Sequence, residues 1–274
     1  MKQSKELTKI LNMLNKKLSV IIVNYKSANF LEKCINSVFE KIKNEIPFEI
    51  IVVNNDSERI EDKWRNNPQI KIIDNEKNVG FGAGNNIAAK SAQGDILFFL
   101  NPDTEIIALE INVIMSLFDN KDLGILGGCL YSKNDKIQPW GAGYEPSLLS
   151  LIRNNLVFSV SNKFLTQKDP INVDWVSAAA FFIRRNIFEK LSGFDENFFM
   201  YFEDVDLCQR VRLAGKKVLY YPKAIIRHYG GESYQNKKAQ KRDYYVSQKY
   251  YFRKHRNFFE SGIIKILTKL FYNV

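Results

Sequence analysis

The sequence predicts an α/β fold: a mostly parallel sheet with flanking helices, followed by a basic amphipathic helical extension at the C-terminus. Three observations carry that reading. The runs Leu18–Asn24, Phe48–Asn54 and 95–100 are short, nearly continuous in apolar residues and rich in Val, Ile and Phe, as strands covered on both faces are. The segments between them repeat their apolar residues with helical spacing. Each run also stops on Asn or Asp, at Asn24, at Asn54-Asn55-Asp56, at Asp74-Asn75 and at Asn101-Pro102-Asp103. In open parallel sheets ligands bind beyond the carboxyl ends of the strands, so these residues predict a polar crevice.

The elements follow in order. Leu7, Ile10, Leu11 and Leu14 fall at i, i+3, i+4 and i+7 and predict an amphipathic helix over residues 4–16. After the first strand, Leu31, Ile35 and Val38 place a helix over 29–43. A second strand ends at Asn54, and Ile70 to Ile73 supply a third. Gly80, Gly82 and Gly84 open a loop into a helix near 85–92, and Asn101-Pro102 stops the fourth strand. Residues 131–172, with Pro139, Gly141, Gly143, Pro146 and Pro170 and weak periodicity, read as a long mobile, lid-like excursion. A strand over 173–183 and a helix over 203–214 follow, the latter closed by Gly215 in the left-handed conformation. The resulting division is a helix at 1–17, a catalytic body at 18–235 with halves at about 18–130 and 131–235, and an extension at 236–274.

Composition narrows the class. With 274 residues and 45% hydrophobic content the chain can bury a large core, which excludes a disordered or disulfide-stapled chain. Cys34, Cys129 and Cys208 are far apart and form no CxxC pair, so buried, reduced thiols are expected rather than zinc ligands. The net charge of +10 is concentrated at the ends. Residues 1–17 hold five lysines and one glutamate, and residues 237–274 hold ten Lys/Arg and two acids, leaving 25 basic and 27 acidic residues between. A near-neutral body with basic ends implies that the ends face something anionic. No run approaches the roughly 18 apolar residues of a membrane span. The lysine-containing N-terminus has no apolar core before a cleavage site, so a cytoplasmic location is expected.

Several side chains are candidates for chemistry. Asp103 follows a buried strand and a proline, which presents its carboxylate to the crevice. A hard oxygen ligand there suits Mg²⁺ or Mn²⁺ shared with a diphosphate, although an Asp in a post-strand turn is also ordinary turn chemistry. Glu203-Asp204-Val205-Asp206 opens a helix after Phe198-Phe199-Met200-Tyr201-Phe202. First-turn acids commonly cap helices, yet neighbouring aromatics desolvate a carboxylate and raise its pKa, as a general base requires. His228 precedes Tyr229-Gly230-Gly231 and is either a structural histidine or a further metal ligand. His255, among Arg253, Lys254 and Arg256, reads as a surface residue. Gly80-Phe81-Gly82-Ala83-Gly84 has neither the spacing of a P-loop nor that of a dinucleotide fingerprint.

The segment from Ser19 to Asp56, Asn78-Val79-Gly80-Phe81-Gly82 with Asn86, Leu100 to Thr104, the run from Gly193 to Arg210 and His228 to Ser233 together resemble glycosyltransferase family 2. The likeness is greatest to its rhamnosyltransferase-like branch and covers roughly residues 18–255. The resemblance implies a GT-A, Rossmann-like fold. It also implies inverting transfer of a sugar, rhamnose first, from a dTDP- or UDP-linked donor to a glycan or lipid-linked glycan in bacterial surface polysaccharide synthesis. Asp204 would be the catalytic base, and Asp103 and His228 would hold Mg²⁺ or Mn²⁺. Asn24, Asn54, Asp56, Asn78, Gly80, Asn86, Asn101 and Asp103 would face the donor, and Trp175, Tyr201 and Glu203 the acceptor. Asn101-Pro102-Asp103 departs from the family's DxD and leaves one carboxylate for the metal. Asn54 stands where Asp is usual, so the base contact lies open between Asn54 and Asp56. Ala178 replaces a common glycine, implying a tighter acceptor pocket.

In the extension, Tyr244, Tyr251 and Phe258 recur every seven residues, as do Tyr245, Phe252 and Phe259. Ile263, Leu267, Leu270 and Phe271 then line one helical face. This pattern predicts packing on the body for the earlier part and contact with an anionic membrane, on its inner face, for 262–273. Interleaved basic and aromatic residues also raise a nucleic-acid-binding alternative. The net-negative body and the lack of a recognised motif argue against it. A sugar nucleotidyltransferase would carry a glycine-rich basic loop after the first strand, where Asn24-Tyr25-Lys26-Ser27 stands instead. An inactive binding module would not be expected to keep Asp103, Asp204 and His228 together.

Overall fold

The computed structural model describes residues 17–149, 163–230 and 236–272. The helix expected over residues 4–16 lies outside them. Strand β1 (Leu18–Asn24), helix α1 (Ala28–Ile42), β2 (Phe48–Asn54), the single turn α2 (Asp62–Arg65), β3 (Ile70–Asp74), α3 (Phe81–Ser91) and β4 (Ile96–Leu100) form the first half. Then come β5 (Thr104–Ala108), α4 (Ile111–Leu117), β6 (Leu123–Tyr131) and the two-residue β7 (Ala142–Gly143). The second half adds β8 (Ile171–Asn172), β9 (Trp175–Val176), β10 (Ala180–Arg184), α5 (Arg185–Lys190), α6 (Glu203–Leu213) and β11 (Lys217–His228). Helices α7 (Lys237–His255) and α8 (Phe258–Tyr272) end the described chain.

The main sheet has the order β3-β2-β1-β4-β10-β6-β11-β5, with β8 on β11. Strands β1, β2, β3, β4, β6 and β11 share one direction, while β10, β5 and β8 oppose it. The chain leaves β1 first toward β2 and later toward β4, which creates a switch point at the carboxyl end of β1. Register aligns Asn24 with Asn54 and Asn54 with Asp74, so the polar strand ends form one row.

Both sheet faces are covered, which is why the strands read as continuous apolar runs. Val20, Ile22, Ile50 and Val52 point toward Leu31, Cys34, Ile35 and Val38 of α1. Ile21, Val23, Ile51 and Val53 point to the other side, with Ala88 and Ala89 of α3 and Leu207, Cys208 and Val211 of α6. At the centre, Phe98 of β4 stacks on Phe182 of β10 with ring centroids 3.9 Å apart. All three cysteines are buried and free.

The strand expected over 173–183 is two strands. Between β9 and β10 the chain turns at Ser177–Ala179, with Ala180 N donating to Ser177 O at 3.3 Å. That turn leaves the Ala178 amide for Asp204. Part of the excursion expected at 131–172 is also ordered: Gly143 of β7 pairs with Trp175 of β9, and β8 pairs with β11.

Candidate active site

At the donor end of the crevice the strand termini make a hydrogen-bonded row. Asn24 Nδ2 donates to Asn54 Oδ1 at 2.9 Å. Asn54 Nδ2 in turn donates to Glu58 O at 2.9 Å and to Asp74 Oδ1 at 3.2 Å. Asn54 is therefore saturated by the fold. Arg65 clasps Asp74 with two 2.8 Å bonds and holds its carboxyl below the usual range. Asp56, half-buried at the rim, accepts the backbone N–H groups of Lys26 and Ser57, each at 2.8 Å. Asn78 Oδ1 receives Gly80 N at 2.9 Å and Asn55 Nδ2 at 3.3 Å.

Two glycines tie this row to the aromatic run. Gly80 has φ +91°, and a Cβ there would stand 2.7 Å from Phe199 O. Gly193 has φ +69°, and a Cβ would meet Asn86 Oδ1 at 2.3 Å. Both of Asn86's polar atoms engage that segment: Nδ2 donates to Phe194 O at 2.9 Å and Oδ1 accepts Phe194 N at 2.8 Å. Asn86 thereby fixes the approach to the acidic helix.

The second corner is built from β4, β5 and β11. Thr104 pairs with His228 across the β5–β11 ladder, which brings the start of β5 beside the end of β11. Asp103 is 5% exposed. Its Oδ2 accepts Gly230 N at 3.1 Å and its Oδ1 lies 3.4 Å from His228 Nε2. Gln138 grips the histidine twice. Its Nε2 donates to His228 O at 2.8 Å, so its Oε1 is the atom facing His228 Nδ1 at 2.9 Å. Nδ1 therefore donates to Gln138, and Nε2 is the ring nitrogen turned toward Asp103 and Asn101. Asn101 Nδ2 is 3.4 Å from that nitrogen, and its buried Oδ1 has no partner.

This donor set fits a divalent cation. A carboxylate oxygen, an imidazole lone pair held by a second hydrogen bond, and an orphaned amide oxygen are the groups that Mg²⁺ or Mn²⁺ takes alongside phosphate oxygens. Among the described residues no cluster of three His, Cys, Asp or Glu side chains stands together. Protein ligation would thus be sparse, as expected where a substrate diphosphate completes the shell.

The third corner is the start of α6. Tyr201 and Phe202 both adopt left-handed backbone, at φ +70° and +64°. This conformation is costly for aromatic residues and persists only when surroundings impose it. Helix α7 supplies those surroundings. Ser247 Oγ donates to Met200 O at 2.7 Å, Gln240 Nε2 donates to Tyr201 Oη at 2.9 Å, and Phe202 packs on Tyr244 and Tyr251. The strained turn delivers Glu203 and Asp204 to the crevice. Asp204 is half-buried; its Oδ2 accepts Ala178 N at 3.0 Å and its Oδ1 accepts Val205 N at 2.8 Å. Burial raises its pKa against those bonds. Glu203 is buried with Oε2 unpartnered, and burial together with the Asp204 charge pushes its carboxyl well above the usual range.

Asp206, fully buried, points the other way. Burial would raise its pKa, but His255 Nε2 at 2.6 Å, Arg210 at 2.7 Å and Lys254 Nζ at 2.6 Å outweigh that and hold it low. His255 is thus an internal partner, not the surface residue expected from its basic neighbours. Trp175, half-buried, donates Nε1 to Tyr144 O at 2.9 Å and packs against the cluster of Phe198, Phe202, Val205, Tyr251 and Phe252.

The corners meet at one dipeptide. Ala178 N reaches Asp204, while Ala179 O accepts Asn101 N at 2.9 Å. Residues 101 and 204, distant in sequence, are bridged by two adjacent residues. Gln138, and the bridging role of the Ser177–Ala179 turn beyond the pocket effect expected of Ala178, are what sequence reasoning missed. Neither has a local signature, because each works through a partner far along the chain.

A mixed, mostly parallel sheet with flanking helices, with an aspartate beside its central strand ends and an acidic helix closing the crevice, defines a glycosyltransferase of the GT-A architecture. The model of the glycosyl transferase family 2 domain matches residues 19–192, and the chain belongs to that family. It is 30% identical over 162 residues to the rhamnosyltransferase WbbL of Escherichia coli (strain K12), covering 55% of this chain and 61% of that one. Identity is 27% over 205 residues to the low-salt glycan biosynthesis hexosyltransferase Agl10 of Haloferax volcanii, covering 71% of this chain and 61% of that one. The chain therefore spans about three fifths of the length of these two relatives. Over 239 residues it is 25% identical to the N-acetylglucosaminyl-diphospho-decaprenol L-rhamnosyltransferase of Mycobacterium tuberculosis, covering 79% and 77%. In fold it is similar to GalNAc-T7 with UDP, GalNAc and Mn²⁺, at TM-score 0.66, 17% identity and coverage of 86% and 47%. It is also similar to the mannosyltransferase PcManGT of Pyrobaculum calidifontis with GDP-Man and Mn²⁺, at TM-score 0.60, 15% identity and coverage of 93% and 70%.

Proposed function

We propose that this chain is an inverting hexosyltransferase that moves a sugar, rhamnose first, from a dTDP- or UDP-sugar to a glycan or lipid-linked glycan of a surface polysaccharide. The observation that carries the reading is the Ala178–Ala179 bridge, which holds the Asp204 carboxylate and the Asn101–Asp103 corner to opposite sides of one short segment. The names of the Escherichia coli and Mycobacterium tuberculosis relatives support rhamnose and, for the latter, a diphospholipid-linked acceptor.

The chemistry follows from the carboxylates. Asp204 Oδ accepts the proton of an acceptor hydroxyl as that oxygen attacks the anomeric carbon of the donor. The bond from that carbon to the diphosphate breaks on the opposite face, and its electron pair leaves with the diphosphate. A base with a raised pKa holds the abstracted proton near neutral pH. Burial and the Asp204 charge raise the Glu203 carboxyl well above the usual range, which disfavours a second charge beside Asp204. Asp103, His228 Nε2 and Asn101 Oδ1 would hold Mn²⁺ or Mg²⁺, which when bound neutralises charge growing on the leaving diphosphate.

Helix α7 is part of the catalytic body on this reading, and α8 is its lipid-facing surface. Phe259, Ile266 and Leu270 are 72%, 59% and 69% exposed on one face of α8, flanked by exposed Lys265 and Lys269. Ile264 and Thr268 are buried on the opposite face. An apolar stripe beside lysines suits an anionic bilayer on the cytoplasmic side. Lys254 and Arg256 are occupied by Asp195, Asp206 and Glu145, so these two cations serve the fold rather than a nucleic acid.

A thermal-shift screen of dTDP- and UDP-sugars with and without Mn²⁺ tests the reading. A donor at 100 times its Kd should stabilise the fold by about 2.7 kcal/mol, and only with metal. No stabilisation by any nucleotide sugar would refute it.

A further inference from the structure

Trp140 is 62% exposed, unusual for so large a ring, and it is carried by a turn tied to the site. Among the described residues its indole N–H has no hydrogen-bond partner. The ring nevertheless sits on a rigid support. Gly141 N donates to Gln138 O at 3.2 Å, closing a turn with Pro139 and Trp140 at its centre, and Pro139 fixes its own φ. Gln138 is buried, bonded through its backbone to Leu130 O at 2.8 Å and through its side chain to His228 at both ends. On the other side, Gly141 O accepts Ser177 N at 2.8 Å, next to the Ala178 amide that binds Asp204.

Two residues before the indole the chain holds the metal-site histidine. One residue after it, the chain holds the turn that orients the base. An exposed aromatic ring on a turn anchored to both corners suits a ligand with an apolar face and polar edges. A pyranose has both: its axial C–H groups carry partial positive charge toward the negative face of the indole, and its hydroxyls can accept the indole N–H.

We propose that Trp140 is the platform for the acceptor saccharide, stacking the ring whose hydroxyl Asp204 deprotonates. This deepens, and rests on, the glycosyltransferase reading. It assigns the acceptor rather than the donor to the indole, because the nucleotide end of the crevice lies over the Asn24–Asn54–Asp56 row.

The test uses the full chain and its Trp140→Ala and Trp140→Phe variants. The probes are octyl pyranosides of glucose, galactose, N-acetylglucosamine and rhamnose, followed by calorimetry, with Mn²⁺ plus dTDP or UDP as a separate arm. At least one glycoside should bind the parent saturably. Its Kd should rise about tenfold in Trp140→Ala, the loss of one aromatic stack, and stay within about threefold in Trp140→Phe, which keeps an aromatic face. Nucleotide binding should be equal in all three proteins. Unchanged glycoside affinity in Trp140→Ala, no glycoside binding by the parent, or weakened nucleotide binding in Trp140→Ala would each overturn the platform. A parent that binds a glycoside but no nucleotide would instead count against the glycosyltransferase reading, and the glycoside series would still decide the role of Trp140.

Discussion

Replacing Asp206 with Asn removes the fully buried negative charge that Arg210, Lys254 and His255 share, while Lys254 keeps Asp195 as a second partner. Asp206 is fully buried, and the groups facing it are Arg210 from its own helix and Lys254 and His255 from α7. Asparagine preserves volume and one acceptor oxygen, but its amide nitrogen opposes the Arg210 guanidinium. Breaking a buried pair costs about 3–5 kcal/mol because the remaining charges lose their partner. Retained hydrogen bonding puts this variant near the lower end, about 3 kcal/mol. For a domain of this size that lowers the melting temperature by about 6–12 °C. The sign with pH is fixed by the low folded-state pKa of Asp206. Its contribution is complete above the unfolded value of about 3.9 and disappears as pH falls through the folded value. Differential scanning calorimetry should therefore show a large gap at pH 7 that is narrower at pH 3. A variant melting within about 2 °C of the parent at pH 7 would refute the claim that this cluster fastens α7 to the catalytic helix, since that shift corresponds to under about 1 kcal/mol.

Other outcomes follow from the same structure. The raised carboxyl of Glu203 implies stability that is complete below its unfolded value of about 4.3 and is lost as pH rises through its folded one. Glu203→Gln should consequently melt higher than the parent at pH 9 and equal to it at pH 4; the same difference at both would contradict the assignment. Removing residues 258–274 should reduce flotation with vesicles containing phosphatidylserine or phosphatidylglycerol, and 0.5 M salt should weaken binding by the full chain. Equal recovery of the two chains would remove the lipid role of α8.

The first half of the fold was legible because its signals are local. Buried strands on both faces give continuous apolar runs, and β1 and β2 have the limits that Val, Ile and Asn impose. The longer second half was harder to read. Strand β6 carries Gly124, Gly127 and Gly128, which dilute its β signal, and nothing local in β10 marks it as the strand that opposes its neighbours in a mostly parallel sheet. Asp103, Asp204 and His228 were visible as residue types in context. The roles of Asn54 and Asn86 were not, because their amides are consumed by strand ends and loops brought near only by folding. His255 looked superficial beside three basic residues, whereas the acid that buries it lies 49 positions earlier. The Asp206–Arg210 pair, at i and i+4, was the one readable hint that this carboxylate belongs to the framework.

The central claim is a division of labour between Asp103, which serves the diphosphate, and Asp204, which serves the acceptor hydroxyl. Its most direct measurement is calorimetric binding of the nucleotide diphosphate with Mn²⁺ alongside single-turnover transfer, in Asp204→Asn and Asp103→Ala. Asp204→Asn should keep nucleotide affinity within about threefold while transfer falls by roughly 10²–10⁴, and Asp103→Ala should lose the Mn²⁺-dependent part of nucleotide binding. Transfer at near-parent rate in Asp204→Asn, or unchanged metal-dependent affinity in Asp103→Ala, would contradict it.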